Sequence, residues 1–278
     1  MPELPEVETI ARDLAPRLIG RKLRTPRLFK TNGLREVSAR RLIGALEGAI
    51  VLNVSRRAKH IVILLDTGNR MVIQPRMTGT FLIARGRPSA EEKRYRVLVA
   101  GIGDGERFVY RDVRRLGTIW LLNQTAWMSY TGRIGPEPLD DSFDAHALAR
   151  QLSGTRIAIK KALMDQRRIA GVGNIYANEV LFRAGIDPSR RSDLLDFDAV
   201  SRLHSEIRDV LNEAIAAKGT TLRDYRTGTG ETGSFQETLL VYGRGGLRCL
   251  TCGTTLATTH AIDGRATTFC YRCQASDR

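Results

Sequence analysis

The 278-residue chain contains no apolar run approaching the ~20 residues that cross a bilayer, and its first residues lack the apolar core of a signal peptide. A membrane role is not expected; a soluble, intracellular chain is. Cysteine is equally scarce. The only four, Cys249, Cys252, Cys270 and Cys273, fall near the C-terminus, so nothing before residue 249 can be built on disulfides. Acidic residues are in deficit: 30 Asp and Glu face 44 Lys and Arg, a formal charge of +14 and a pI near 10.2. That balance suggests a polyanionic partner. The length is enough to bury a good core and suits two domains.

The charge is unevenly spread. Residues 1–140 hold 25 basic and 14 acidic residues, whereas residues 141–278 hold 19 and 16. A basic surface kept only for solubility would not need that asymmetry. Arginine dominates over lysine, which suits forked contacts to phosphate and base edges, although any single arginine is best read as facing water.

Periodicity organises the chain. Val7, Ile10, Ala11, Leu14 and Leu18 recur at helical spacing before Gly20. From Leu23 to about Gln124 the pattern predicts short strands at 49–54, 60–65, 71–74, 80–83, 95–99, 107–110 and 118–122, with turns at Asp66-Thr67-Gly68-Asn69 and Gly103-Asp104-Gly105. This reads as a β-sandwich behind one helix. Gly132, Gly135, Pro136 and Pro138 mark residues 126–140 as an interdomain linker. Helices are expected beyond it, around 143–152, 157–164, 174–184 and 200–215. The fold class predicted is multi-domain α+β, with a catalytic β-sandwich domain over 1–125, a helical domain over 141–240 and a cysteine-bearing finger over 241–278.

Several stretches carry chemistry. The chain opens Met1-Pro2-Glu3-Leu4-Pro5-Glu6-Val7-Glu8. Once Met1 is removed, Pro2 presents a secondary amine that can add to a sugar's anomeric carbon and form an iminium ion, and Glu3 beside it can move the proton that ring opening requires. The plainer reading is a helix start with Pro5 in the first turn and acidic residues at the positive end. Ser55-Arg56-Arg57-Ala58-Lys59-His60 sets basic residues just before an apolar strand. In Ile169-Ala170-Gly171-Val172-Gly173-Asn174, two glycines allow close approach to a ligand, and Asn174 is expected to cap the helix it opens, leaving amides free for a phosphate. Cys249-x-x-Cys252 and Cys270-x-x-Cys273, separated by 17 residues, offer four thiolates to one tetrahedral Zn²⁺. Two disulfides are the competing reading, and an intracellular redox poise disfavours them. A complete thiolate shell makes that zinc structural.

The opening nonapeptide, the Gly171–Glu179 string and the cysteine pairs together resemble the formamidopyrimidine-DNA glycosylases of bacteria, over nearly the whole chain. The resemblance implies a β-sandwich joined to a helix-two-turns-helix domain and a zinc ribbon. It implies a bifunctional glycosylase and AP lyase of base excision repair that removes oxidised purines from double-stranded DNA and also acts at abasic sites. It makes Pro2 the nucleophile, Glu3 the acid, Glu6 a supporting carboxylate and Lys59 an active-site lysine. Met77, Arg115 and Leu116 would fill the hole left by the extruded base. Arg156, Asn174 and Arg265 would hold the DNA, with Lys160 and Lys161 adding charge along its path. A glycine-rich loop within 219–238 would close over the base. A cytoplasmic, nucleoid-associated monomer is expected, binding DNA across the cleft between its domains.

Departures from the family pattern accompany these matches. Gln74-Pro75 stands where the family usually has His-Leu, Leu116 stands for a phenylalanine, and no histidine lies near Lys93–Arg96. Arg156 stands where relatives often have lysine, and Asp263-Gly264 reads as a turn insertion. Two alternatives remain open on sequence: an endonuclease VIII type glycosylase for oxidised pyrimidines, which Leu4 argues against, and a zinc-ribbon protein that binds damaged DNA without cutting it.

Overall fold

The structure, a computed structural model, describes residues 1–221 and 232–275. It divides into two compact units, residues 1–132 with 217–236 and residues 133–216 with 237–278.

The first unit opens with α1 (Leu4–Leu18), whose helix-spaced Val7, Ile10, Ala11, Leu14 and Leu18 are all buried. Removing that stripe from water is worth on the order of 10 kcal/mol. The strands are β1 (Arg24–Leu28), β2 (Val51–Arg57), β3 (His60–Leu65), β4 (Arg70–Gln74), β5 (Gly79–Arg85), β6 (Arg96–Gly103), β7 (Glu106–Asp112) and β8 (Thr118–Leu122). They form two antiparallel four-stranded sheets, ordered β1-β6-β7-β5 and β2-β3-β4-β8. One core joins the α1 stripe to Ile61, Ile63 and Ile73 of one sheet and Phe81, Leu98, Phe108 and Tyr110 of the other. Phe81 stacks on Tyr110 with ring centroids 4.9 Å apart.

Three short helices interrupt the stretch that reads as strands and linker: α2 (Ala39–Leu46), α3 (Ala90–Tyr95) and α4 (Gln124–Thr131). Each is opened by a side-chain cap, Ser38, Ser89 and Asn123, accepting from the amide three residues on. Their buried side chains are few, Leu42 and Leu46 in α2, Glu92 in α3 and none fully in α4, so only α2 carries even one helical repeat of apolar residues. Helix α4 nevertheless shields the outer face of β3, β4 and β8, where Val62, Val72 and Leu122 pack under Trp127 and Tyr130. That cover explains why β3 is apolar on both faces. Edge strand β1, missed by the strand pattern, has Pro26 as its only buried residue.

The second unit is mainly helical: α5 (Ala145–Ser153), α6 (Ile159–Met164), α7 (Asn174–Arg183) and α8 (Phe197–Ala216). Helix α8 buries Val200, Leu203, Ile207, Val210, Leu211 and Ala214. Helix α7 is buried on every side from Ile175 to Phe182, as befits the central helix of a bundle. A two-stranded hairpin, β9 (Ala257–Thr259) with β10 (Thr267–Phe269), completes the unit. The fold is α+β. Among the described residues no helix is long and apolar enough to cross a membrane.

Candidate active site and metal centre

At the head of α1, Pro2 is buried, and Glu3 and Glu6 are 3% and 1% exposed, while Met1 protrudes at 43%. A buried carboxylate needs donors, and Glu6 has main-chain ones. The Glu3 amide donates to its Oε2 at 2.7 Å, and the Thr220 amide donates to its Oε1 at 2.7 Å. The second bond spans 214 residues and is possible because Gly219 adopts φ +83°; a Cβ there would come within 2.9 Å of the Glu6 side chain. Beyond Thr221, the glycine-rich stretch expected to close over a base lies, at 222–231, outside the described residues.

Lys59 sits in the β2–β3 turn, 5% exposed, just after Ala58 at φ +51°. Arg56 braces that turn against α1: its Nε donates to Glu8 at 2.9 Å and its Nη1 to the Ala58 carbonyl at 3.0 Å. The next residue, His60, was not singled out by the sequence. Its Nδ1 lies 3.1 Å from the Arg57 carbonyl and its Nε2 3.0 Å from the Tyr130 hydroxyl. These partners assign the neutral tautomer with the proton on Nδ1. Burial, followed by the positive Arg76, Arg57 and Lys59 and opposed by the Arg57 hydrogen bond, pushes the imidazole down to about 4.

Two neighbouring turns expose apolar tips. Between β4 and β5 Met77 is 43% exposed, beside Arg76 at φ +54°; between β7 and β8 Leu116 is 49% exposed, beside Arg115 at φ +54°. A large apolar side chain left in solvent on a tight, left-handed turn is poised for a partner surface. Arg114 reaches across, its Nη1 3.2 Å from the Met77 sulfur.

In the second unit the α6–α7 turn is built around Gln166, which accepts from the Gly171 amide at 2.9 Å and donates to the Val172 carbonyl at 2.8 Å. Gly171 takes φ +82°. Gly173, not Asn174, is the N-cap of α7, and no side chain caps it. The Asn174 side chain is committed elsewhere, donating to the Ala266 carbonyl at 3.2 Å, with its Oδ1 buried and without a partner among the described residues. Below it Asn178 accepts from the Thr268 amide at 2.8 Å. Glu179, fully buried, accepts from the Leu240, Val241 and Tyr242 amides at 2.8, 3.0 and 2.7 Å. Arg156, Lys161 and Arg265 are exposed. Lys160 is not on the surface: it is 0% exposed, donating to Thr267 at 2.7 Å and facing Asp263 at 3.4 Å. Burial without a partner would be prohibitive for an ammonium, so its charge is spent on holding the hairpin. The Asp263-Gly264 insertion forms a turn, with Gly264 at φ +77° and the Arg265 amide donating to Asp263.

The four cysteine sulfurs lie within 4.8 Å of one another. Cys249 and Cys273 are 3.9 Å apart and Cys252 and Cys270 3.4 Å, with no disulfide among them. Tetrahedral thiolate ligation at about 2.3 Å per bond puts sulfurs about 3.8 Å apart, so this set can hold one metal ion. Burial pushes the Cys270 and Cys273 thiols up, while hydrogen bonds from Thr254 hold Cys252 down to about 6.

Residues 1–119 match the model of the formamidopyrimidine-DNA glycosylase N-terminal domain and residues 134–226 that of the formamidopyrimidine-DNA glycosylase H2TH domain. A formamidopyrimidine-DNA glycosylase of Thermomicrobium roseum is 41% identical over 99% of each chain. A Lactococcus lactis FPG variant crystallised with Fapy-dG containing DNA superposes with a TM-score of 0.91 at 31% identity, over 99% of this chain and 100% of that one. The Lactococcus lactis Fpg with abasic site containing DNA gives 0.90 at 31%, with the same coverage. The chain belongs to the formamidopyrimidine-DNA glycosylase family.

Proposed function

We propose that this glycosylase excises oxidised purines from double-stranded DNA and cleaves the strand at the resulting or a pre-existing abasic site. The observation that carries the reading is the head of α1, where Pro2 and Glu3 are buried together on a helix locked by the Glu6 carboxylate.

With Met1 removed, the Pro2 nitrogen bonds to C1′ and the glycosidic pair leaves with the base. Glu3 protonates the ring oxygen as the sugar opens, giving an iminium ion. That cation acidifies C2′; loss of its proton expels the 3′ phosphate, and a second elimination expels the 5′ phosphate. Glu6 supports the acid, and Lys59, supplied by the braced turn, contacts the DNA at the reacting nucleotide. Extruding a base costs a few kcal/mol; Met77, Arg115 and Leu116 offset it by filling the vacated space. Arg156, Asn174 and Arg265 bind phosphates. The catalytic domain is 1–125, the DNA-gripping helices 141–240 and the ribbon 241–278. Cys249, Cys252, Cys270 and Cys273 would hold one zinc ion, which would crosslink the ribbon in a structural role. The protein acts as a monomer in the cytoplasm, at the nucleoid.

Borohydride reduction tests this. The Met1-trimmed protein is expected to be trapped covalently on duplex containing an oxidised purine, and the uncleaved-Met1 form, whose Pro2 nitrogen is tied up in an amide, is not. Trapping of the uncleaved-Met1 form at an unchanged yield would sink the mechanism. Intact mass reports the state of Met1 and, under native conditions, the zinc.

A further inference from the structure

Below the two exposed tips lies a buried polar cluster that none of the roles above uses. Asp112, at the end of β7, is 1% exposed and Thr78, in the turn just before β5, is 5% exposed. The Thr78 hydroxyl donates to Asp112 Oδ1 at 2.5 Å and accepts from the Arg114 amide at 2.9 Å. The Arg114 amide also lies 3.2 Å from Asp112 Oδ1, and the Gly117 amide donates to Asp112 Oδ2 at 2.7 Å. One carboxylate thus ties the residue after Met77 to the residues on either side of Arg115-Leu116. The space is fully taken: a methyl group built on Gly117 would overlap the Tyr110 hydroxyl and press on Asp112 Oδ2.

We propose that Thr78 and Asp112 are positioning residues that join the Met77 turn and the Arg115-Leu116 turn into one rigid wedge, so that both tips enter the base stack together. The inference rests on the void-filling reading of Met77, Arg115 and Leu116. Two short turns with left-handed residues at their tips would otherwise move independently, and each would lose ordering entropy on insertion. Fixing them beforehand removes that cost from the extrusion step. The chemistry demands a carboxylate. Both oxygens of Asp112 accept, whereas an asparagine must turn its NH₂ toward either the Gly117 or the Arg114 amide, donor against donor.

The test compares single-turnover excision of one oxidised purine, placed opposite cytosine in a fully paired duplex or inside an unpaired bubble. In the bubble the stack is already open, so the wedge gains nothing. Relative to the unchanged protein, Thr78→Val and Asp112→Asn are each expected to lose roughly tenfold to a hundredfold on the paired duplex, the scale of a misplaced group. On the bubble they stay within about twofold. Thr78→Ser, which keeps the hydroxyl, restores the paired rate, and the Thr78→Val/Asp112→Asn double variant loses no more than Asp112→Asn alone. The control is Met77→Ala with Leu116→Ala. If the control loses nothing on the paired duplex, the void-filling reading itself fails. If it shows the loss but Thr78→Val does not, or Thr78→Val is equally slow on both substrates, the positioning role is overturned.

Discussion

Helix α1 carries Pro2, Glu3 and Glu6 on one wall of a core of 25 buried side chains, whereas the hairpin carrying Arg265 rests on Phe182, Val241, Cys249, Leu256 and Cys270. The first support is large enough to hold a reactive end by apolar packing alone. The second is too small to stand without a crosslink, and two of its five members are metal-ligand candidates. The same genome-facing task is therefore underwritten by burial at one end of the chain and by thiolate chemistry at the other.

Metal removal should break this symmetry of purpose most sharply. A strong chelator, or Cys270→Ser, is expected to unfold the ribbon and to weaken duplex affinity by roughly a hundredfold, about 2.7 kcal/mol. The N-terminal unit should keep its near-ultraviolet signal and melting transition. Concerted loss of both units on chelation would show that the contrast is wrong.

An effect confined to acid pH probes the outer face of the sandwich. The fold holds His60 neutral, with its imidazole pushed down to about 4, and the unfolded chain protonates it near 6.5. Stability from this group is therefore complete above about pH 6.5 and is lost as pH falls toward 4, up to about 3 kcal/mol. Denaturation curves for the unchanged protein and His60→Phe should differ in their pH slope across that window only. With four histidines in the chain, proton resonances can follow His60 directly; titration near 6.5 would contradict the burial argument.

The smallest of the three concerns the joint at Glu6. Gly219→Ala strains a left-handed backbone and crowds the carboxylate, at an expected cost of about 2 kcal/mol by chemical denaturation. Activity should fall further than that stability loss explains, because Glu6 moves. An unchanged rate would mean that the Thr220–Glu6 bond is dispensable.

Much of this was legible in the residues and part was not, for physical reasons. The α1 and α8 stripes declare themselves because one buried face imposes a period on the side chains, and the run 60–65 because both of its faces are covered and it is apolar throughout. The cysteine pairs declare themselves because ligand geometry fixes their spacing. Helices α2 to α4 stay hidden because caps start them and elements this short give at most two apolar repeats, such as Leu42 and Leu46 in α2. The Glu6–Thr220, Asp112–Gly117 and Glu179 bonds are hidden more deeply: their donors are backbone amides, which every residue but proline owns. Lys160 misled for the opposite reason, since a lysine in a basic protein reads as surface until Asp263 and Thr267 are seen around it.

That anonymity of the donor has its own effect at Glu179. Because the carboxylate grips three consecutive main-chain amides, these bonds between α7 and residues 240–242 do not depend on side-chain chemistry, although Val241 must still fill the ribbon's core. Apolar exchange along the strip leaves the latch closed, whereas proline at any of the three positions removes a donor and leaves a fully enclosed carboxylate one partner short.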